Sequence, residues 1–317
     1  MTTGYLDRDR TALALQGGGA HGAFAWGVLD ALIEAGFRFD AVCGVSSGAI
    51  LAAMAVQGEV RGGASGARAA MKQLWNRVAA ADVFAPLSDH LDRWMPGFGL
   101  GRDLGNTLAL QGMTAAFNLF GAAPFNPFGP TPLQNPLRPI LADLLDREAL
   151  ADPRARRLFV AATVVETGRA RIFTNREITV DVLLASACLP AVFPAVTIDG
   201  VAYWDGAFAG NPPLAPLLAL DPDLLVLVRA QGRNRAGVPG QPADILNRMQ
   251  EIAFQAVVEA ECARLPPSLD FVDVSAESAL AGLAPETRIV ADRALIDRLF
   301  AAGRAAARAL GPAAGPV

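Results

Sequence analysis

Five consecutive residues, Gly44-Val45-Ser46-Ser47-Gly48, have the types and spacing of a reactive serine. A serine hydroxyl becomes a nucleophile where the backbone projects it beside a base. A G-x-S-x-G turn between a strand and a helix supplies that projection. The turn is sharp, and Gly44 and Gly48 meet its demand for small flanking residues. The helix that follows aims backbone N–H groups at developing negative charge. Ser47 is off-centre in the pattern and the weaker nucleophile. The bare pentapeptide arises often by chance, so the strand before it and the helix after it are the informative part.

A second cluster, Gly17-Gly18-Gly19-Ala-His-Gly22, follows an apolar run. Three glycines let the backbone approach a ligand closely, and their N–H groups could hold a tetrahedral oxyanion. Gly17, Gly19 and Gly22 also fit the G-x-G-x-x-G dinucleotide fingerprint. That fingerprint wants an acid at the end of the second strand, where this chain has the serine turn. Asp40 only starts that strand. A tight turn with no ligand is the third reading. The chain has just two histidines, His21 and His90, and neither follows the Ser…Asp/Glu…His order of a hydrolase triad. A carboxylate can serve as base if it lies within hydrogen-bond reach. Asp205, followed by Gly206 and Ala207, is the best placed, at the end of the apolar stretch Val201–Trp204. Its ordinary reading is a turn former.

These groups need elements to carry them. Strands are expected at Thr11–Gln16, Phe39–Cys43, Leu158–Val165, Arg169–Thr174, Leu224–Val228 and Leu269–Val274, with Val196–Trp204 extended. Helices are expected at Ala20–Ala35, Ala49–Val56, from Ala67 to Ala81 after a Gly/Ser loop at Gly62, and at Pro136–Asp146 and Val180–Cys188. Two more follow at Asp244–Arg264 and Asp292–Leu310. Short apolar strands alternating with helices predict an α/β domain with a mostly parallel sheet. Residues 84–135 break the pattern with seven Phe and Trp among Gly and Pro. They read as a lid or insertion, either a substrate-facing apolar wall or a loop-rich part of the core.

At 317 residues, 52% apolar and 18% charged, the chain can bury a sizeable core, which excludes a disordered protein. A net charge of −4 excludes a global basic field for nucleic acid. Cys43, Cys188 and Cys262 are far apart and odd in number, so neither a structural zinc site nor a disulfide framework is expected. No calcium loop is visible, and no metal or cofactor is expected. The N-terminus does not read as a signal peptide, and no run of about 18 apolar residues reads as a membrane span. A cytoplasmic location is expected.

Taken in order, these elements resemble the patatin-like phospholipase family of serine acyl hydrolases. Gly17–Gly22 is similar to its oxyanion loop and Gly44–Gly48 to its nucleophile elbow. Asp205-Gly206-Ala207 with Asn211-Pro212 is similar to its aspartate motif, and Ser186–Pro190 continuing to Phe193-Pro194 to the stretch between. The resemblance covers about residues 11–220. It implies one domain over 1–317 and a three-layer α/β/α sandwich. It also implies a Ser46–Asp205 dyad without histidine, an oxyanion hole at Gly17, Gly18 and Gly19, and hydrolysis of lipid acyl esters. A lipid or other acyl-ester substrate and peripheral contact with a membrane are the implied partners. His21 stands where many members have Arg or Lys, which implies weaker cationic help and a pH dependence near neutrality. Ser47 stands where Ala is common. Two other classes stay open: a catalytically inactive lipid-binding module, and a dinucleotide-binding oxidoreductase using the 17–22 loop.

Overall fold

Along the first strand, β1 (Thr11–Leu15), alternate residues enter two different cores, and this splits the molecule into layers. Leu13 and Leu15 pack with the helices of one face, while Ala12 and Ala14 pack with those of the other. The structure is a computed structural model that describes residues 9–81, 135–190, 193–235, 237–240, 242–283, 285–288 and 292–310. The insertion read at 84–135 lies, apart from Asn135, outside the described residues, as does His90.

In chain order, β1 is followed by α1 (Gly22–Glu34), β2 (Ala41–Gly44) and α2 (Ser47–Ala80). Then come α3 (Leu137–Leu144), α4 (Arg147–Ala151), β3 (Arg157–Val164), β4 (Ala170–Thr174) and α5 (Val180–Ser186). A hairpin of β5 (Val196–Ile198) and β6 (Val201–Asp205) leads to α6 (Ala215–Leu218), β7 (Leu224–Arg229) and α7 (Pro242–Cys262). The chain closes with β8 (Asp270–Ser275), α8 (Glu277–Leu280) and α9 (Arg293–Ala309). The eight strands form one sheet in which β3, β2, β1, β7 and β8 run parallel, in that order. The central strands are apolar on both faces because helices cover both. Helices α1, α2, α5 and α9 pack on one face, and α6 and α7 on the other. This is the expected α/β/α sandwich.

Strand β3 has a divided edge. Val160 pairs with Gly44 of β2, and two residues on, Ala162 pairs with Asp205 of β6, antiparallel. Residues of β3 that pair with β2 or β6 also pair with β4, so β4 occupies the opposite edge. β2 and β6 therefore meet end to end along one side of β3.

The structure revises two details. Val196–Trp204 is a two-residue hairpin, because Asp199 (φ 51°) and Gly200 (φ 81°) both turn left-handed, as an Asp-Gly type I′ turn requires. The break expected at Gly62 is present but shorter than a loop: Gly62 (φ −153°, ψ 25°) and Gly63 (φ 59°, ψ −148°) leave helical geometry, and a second helical segment runs on to Ala80, with Ala67, Met71, Leu74 and Trp75 buried at helical spacing. Cys43 and Cys188 are buried free thiols, and Cys262 is a partly exposed one.

Candidate active site

The ends of three parallel strands stand level, with Leu15 beside Gly44 and Val228. The loops that leave them must share one crevice, the usual ligand position in an open parallel sheet. β1 delivers the glycine loop, β2 the elbow and β7 the segment through Gln231.

At the elbow, Ser46 adopts φ 54°, ψ −126°, a left-handed backbone that costs a non-glycine residue about 1–3 kcal/mol. The turn holds because its neighbours leave no alternative. A Cβ on Gly44 would lie 2.6 Å from the Gly48 carbonyl oxygen, and one on Gly48 would lie 2.4 Å from that of Leu15. The Ser46 N–H donates to Ser186 Oγ at 2.9 Å, and Ile50 N–H returns to the Ser46 carbonyl at 3.1 Å. Val45 is buried against Ala161, Ala207 and Phe254. The Ser46 side chain stays partly exposed.

Asp205 ends β6 opposite that turn and is 3% exposed. Its N–H donates to the Cys188 carbonyl at 2.8 Å, and its own carbonyl accepts from Thr163 Oγ1 at 2.8 Å. The carboxylate accepts from the Ala207 N–H at 2.9 Å, and the Ser46 hydroxyl is near enough to favour its ionised form. Burial raises its pKa from the ordinary 3.8 to about 7, only partly opposed by the Ala207 N–H and the nearby Ser46 hydroxyl. Gly206 is required here, since a Cβ would lie 2.2 Å from the Ala161 carbonyl oxygen. A serine hydroxyl thus faces a buried carboxylate whose proton affinity suits exchange near neutral pH.

The glycine loop is packed against the protein itself. A Cβ on Gly17 would lie 2.8 Å from Ser46 Cβ, and one on Gly18 2.9 Å from Ala230 Cβ. At Gly19 (φ +58°) it would lie 2.1 Å from the Arg288 carbonyl oxygen. The Gly17 N–H donates to Asn211 Oδ1 at 2.7 Å, and the Gly18 N–H to Ser47 Oγ at 3.1 Å. The expected three-donor hole is therefore corrected: Gly17 and Gly18 are engaged within the protein. The exposed Gly19 N–H has no partner among the described residues. Ser47 opens α2, and its N–H has no acceptor within the helix.

His21 is also corrected. It is 5% exposed, and its Nε2 lies 2.8 Å from Thr287 Oγ1. Burial, with Arg288 and Arg298 adding positive charge, lowers its pKa to about 3. It is neutral near pH 7 and does not titrate there.

Asn211 and Gln231 complete the loop's support. Asn211 Nδ2 reaches the Gly17 carbonyl at 3.4 Å, and Gln231 Nε2 donates to the same oxygen at 2.8 Å. The Gln231 N–H donates to Gln16 Oε1 at 3.0 Å, which steadies it from behind. Both side chains are buried. Sequence reasoning missed Gln231, which sits in no motif; its position just past a buried strand that ends beside β1 was the available signal. Among the described residues no group of His, Cys, Asp or Glu could hold a metal ion.

The family pattern of patatin-like phospholipase matches residues 13–218, nearly two thirds of the sequence. The chain belongs to the patatin-like phospholipase family. That family is one of lipid hydrolases. No curated protein sequence matches the chain. Solved structures similar to it include VipD from Legionella pneumophila, at 18% identity over 96% of this chain and 67% of that one, with a TM-score of 0.44. They also include the type III effector ExoU of Pseudomonas aeruginosa, at 16% identity over 95% of this chain, with a TM-score of 0.34. The chain spans about half the length of ExoU, 53%.

Proposed function

We propose that the protein is a lipid acyl hydrolase working through a Ser46–Asp205 dyad. The observation that carries this reading is the placement of Ser46, at the tip of a strained elbow, against the buried Asp205 carboxylate, whose strand ends two residues along β3 from the strand that carries the elbow. Asp205 takes the Ser46 proton as Oγ bonds to the ester carbonyl carbon. The tetrahedral oxyanion is met by the N–H groups of Gly19 and Ser47. Collapse expels the alcohol, which leaves with the proton from Asp205, and an acyl-serine remains. Asp205 then deprotonates a water that attacks the acyl carbon, and the fatty acid departs as Ser46 regains its proton. Neutral His21 contributes no charge to this sequence.

The close packing of the glycine loop on Ser46, Ala230 and Arg288 supports this reading over the dinucleotide one, because the glycines are used for contacts within the chain. Fluorophosphonate labelling and turnover of p-nitrophenyl esters of increasing acyl length test it. Ser46→Ala is expected to abolish both, and Asp205→Asn to lower kcat by about 10²–10⁴. Undiminished turnover in a folded Ser46→Ala protein would remove the dyad. A folded wild-type chain that neither labels nor turns over, yet binds acyl ligands, would be an inactive lipid-binding module.

A further inference from the structure

Helix α7 is apolar on the wrong side. Phe254 and Val258 are buried against the body of the protein. A surface helix normally turns polar residues outward from such a face. Here Ile245, Met249 and Ile252, spaced i, i+4 and i+7 on one side, are 41%, 61% and 51% exposed. Ala253 and Ala256 are exposed around them. The stripe is about 10 Å long and lies opposite the buried face. No helix of the described residues is long and apolar enough to cross a membrane, so the stripe is a surface feature rather than part of a span.

Two observations say what the stripe meets. The inner residue Phe254 packs on Val45 of the elbow and on Ala207 beside Asp205. Its ring also meets Phe208 edge-on at 5.0 Å, and Phe208 is itself 39% exposed at the end of the aspartate turn. Helix α7 therefore flanks the Ser46–Asp205 crevice, with its outer stripe one helix width from the elbow. The second observation is charge: Arg235, Arg248 and Arg288 gather around one carboxylate, Glu251, at 3.9, 3.3 and 3.6 Å. An apolar stripe with guanidiniums alongside matches acyl chains beneath and phosphates above.

We propose that the outer face of α7 docks the protein on a phospholipid layer, with Ile245, Met249 and Ile252 entering the acyl region beside the Ser46 crevice. This deepens the lipid-hydrolase reading and rests on it. Binding is tested in the Ser46→Ala protein, by flotation with phosphatidylcholine vesicles with and without phosphatidylglycerol. Ile245→Gln, Met249→Gln and Ile252→Gln together are expected to weaken flotation more than tenfold. In the active protein the same three changes are expected to cost a similar factor on vesicular substrate and to leave a short soluble ester unaffected. A fluorophore at Met249→Cys should shift to the blue only when vesicles are added.

Flotation that is absent in the parent, or unchanged in the triple variant, overturns the proposal. So does a blue emission in the vesicle-free monomer, which would mean the chain covers its own stripe. A dimer dissolved by the triple variant would assign the stripe to a second copy instead. If esters are not hydrolysed at all, the hydrolase reading fails on that result alone, while flotation still decides the docking face.

Discussion

Asp205 is stabilised as an acid, whereas the proposed mechanism needs it as a base. An unfolded chain ionises this group near 3.9, whereas the folded chain holds its proton to about 7. Below pH 4 both states are protonated and the site costs nothing in charge. Between about 4 and 7 the unfolded chain has lost the proton that the folded chain keeps, so this group's contribution to stability falls as pH rises; above 7 the whole cost stands. Activity runs the other way. kcat/KM on a soluble ester is expected to rise through about pH 7 as Asp205 ionises, with the same midpoint in His21→Gln because His21 is already neutral. Asp205→Asn should unfold at higher temperature than wild type at pH 8 and match it more nearly at pH 4. A midpoint that moves with His21, or a less stable Asn variant at pH 8, would contradict the assignment. Gln231 invites a second test. Gln231→Leu removes a donor from the Gly17 carbonyl and frees the loop that carries Gly19. It is expected to lower kcat about tenfold to a hundredfold with KM on a short ester little changed. A loss confined to thermal stability would show Gln231 to be scaffolding only.

Most elements were legible in the sequence because their patterns are local. The runs that became β1, β2, β3 and β7 are short and apolar, and helix stops such as Gly36 (φ +85°) work through backbone conformation alone. The failures came where two local signals compete. Asp199-Gly200 and Asp205-Gly206 are the same dipeptide, yet the first makes a hairpin turn and the second begins a 3-10 turn that aims a carboxylate. What separates them is tertiary: β6 runs out of partner at Ala162 of β3, and the space beyond belongs to the elbow. The break read at Gly62 is there, because adjacent glycines oppose a helix, but it spans only Gly62 and Gly63. The structure tolerates them because Gly58 and Gly66 lie against each other across the kink, where a Cβ on Gly58 would come within 2.5 Å of the Gly66 carbonyl oxygen. The engagement of the Gly17 and Gly18 N–H groups was likewise invisible, since their acceptors Asn211 and Ser47 are distant in sequence.

At the scale of the molecule, the part that carries the motifs is not the part that can stand alone. The family match ends at residue 218, before β7. Yet β7 pairs with β1 at five positions and lies between it and β8. Helix α9 covers α1 so closely that a Cβ on Gly303 would lie 2.0 Å from the Phe24 carbonyl oxygen. The segment after 218 also supplies Gln231 beneath the glycine loop, Thr287 on His21 and Phe254 under the elbow. A chain ended after residue 218 is therefore expected to lose cooperative thermal unfolding by circular dichroism, whereas one ended after residue 310 keeps it. Cooperative unfolding of the shorter chain would show that β7 and α9 are additions rather than part of the core. The sequence read this region as a generic remainder because its contributions are single residues and carbonyls, which leave no pattern.

Two parts machined from one reference edge keep their spacing however the rest of the assembly varies. Here the edge is β3: β2 and β6 are both seated on it, two residues apart, and each hands over one member of the Ser46–Asp205 pair. The gap between hydroxyl and carboxylate is thus set by two ladders of backbone hydrogen bonds and the short, tightly packed elbow turn after β2. Under the proposed chemistry, segments around the rim can lengthen, shorten or change composition, and so retune which ester is admitted, without the pair having to be aligned afresh.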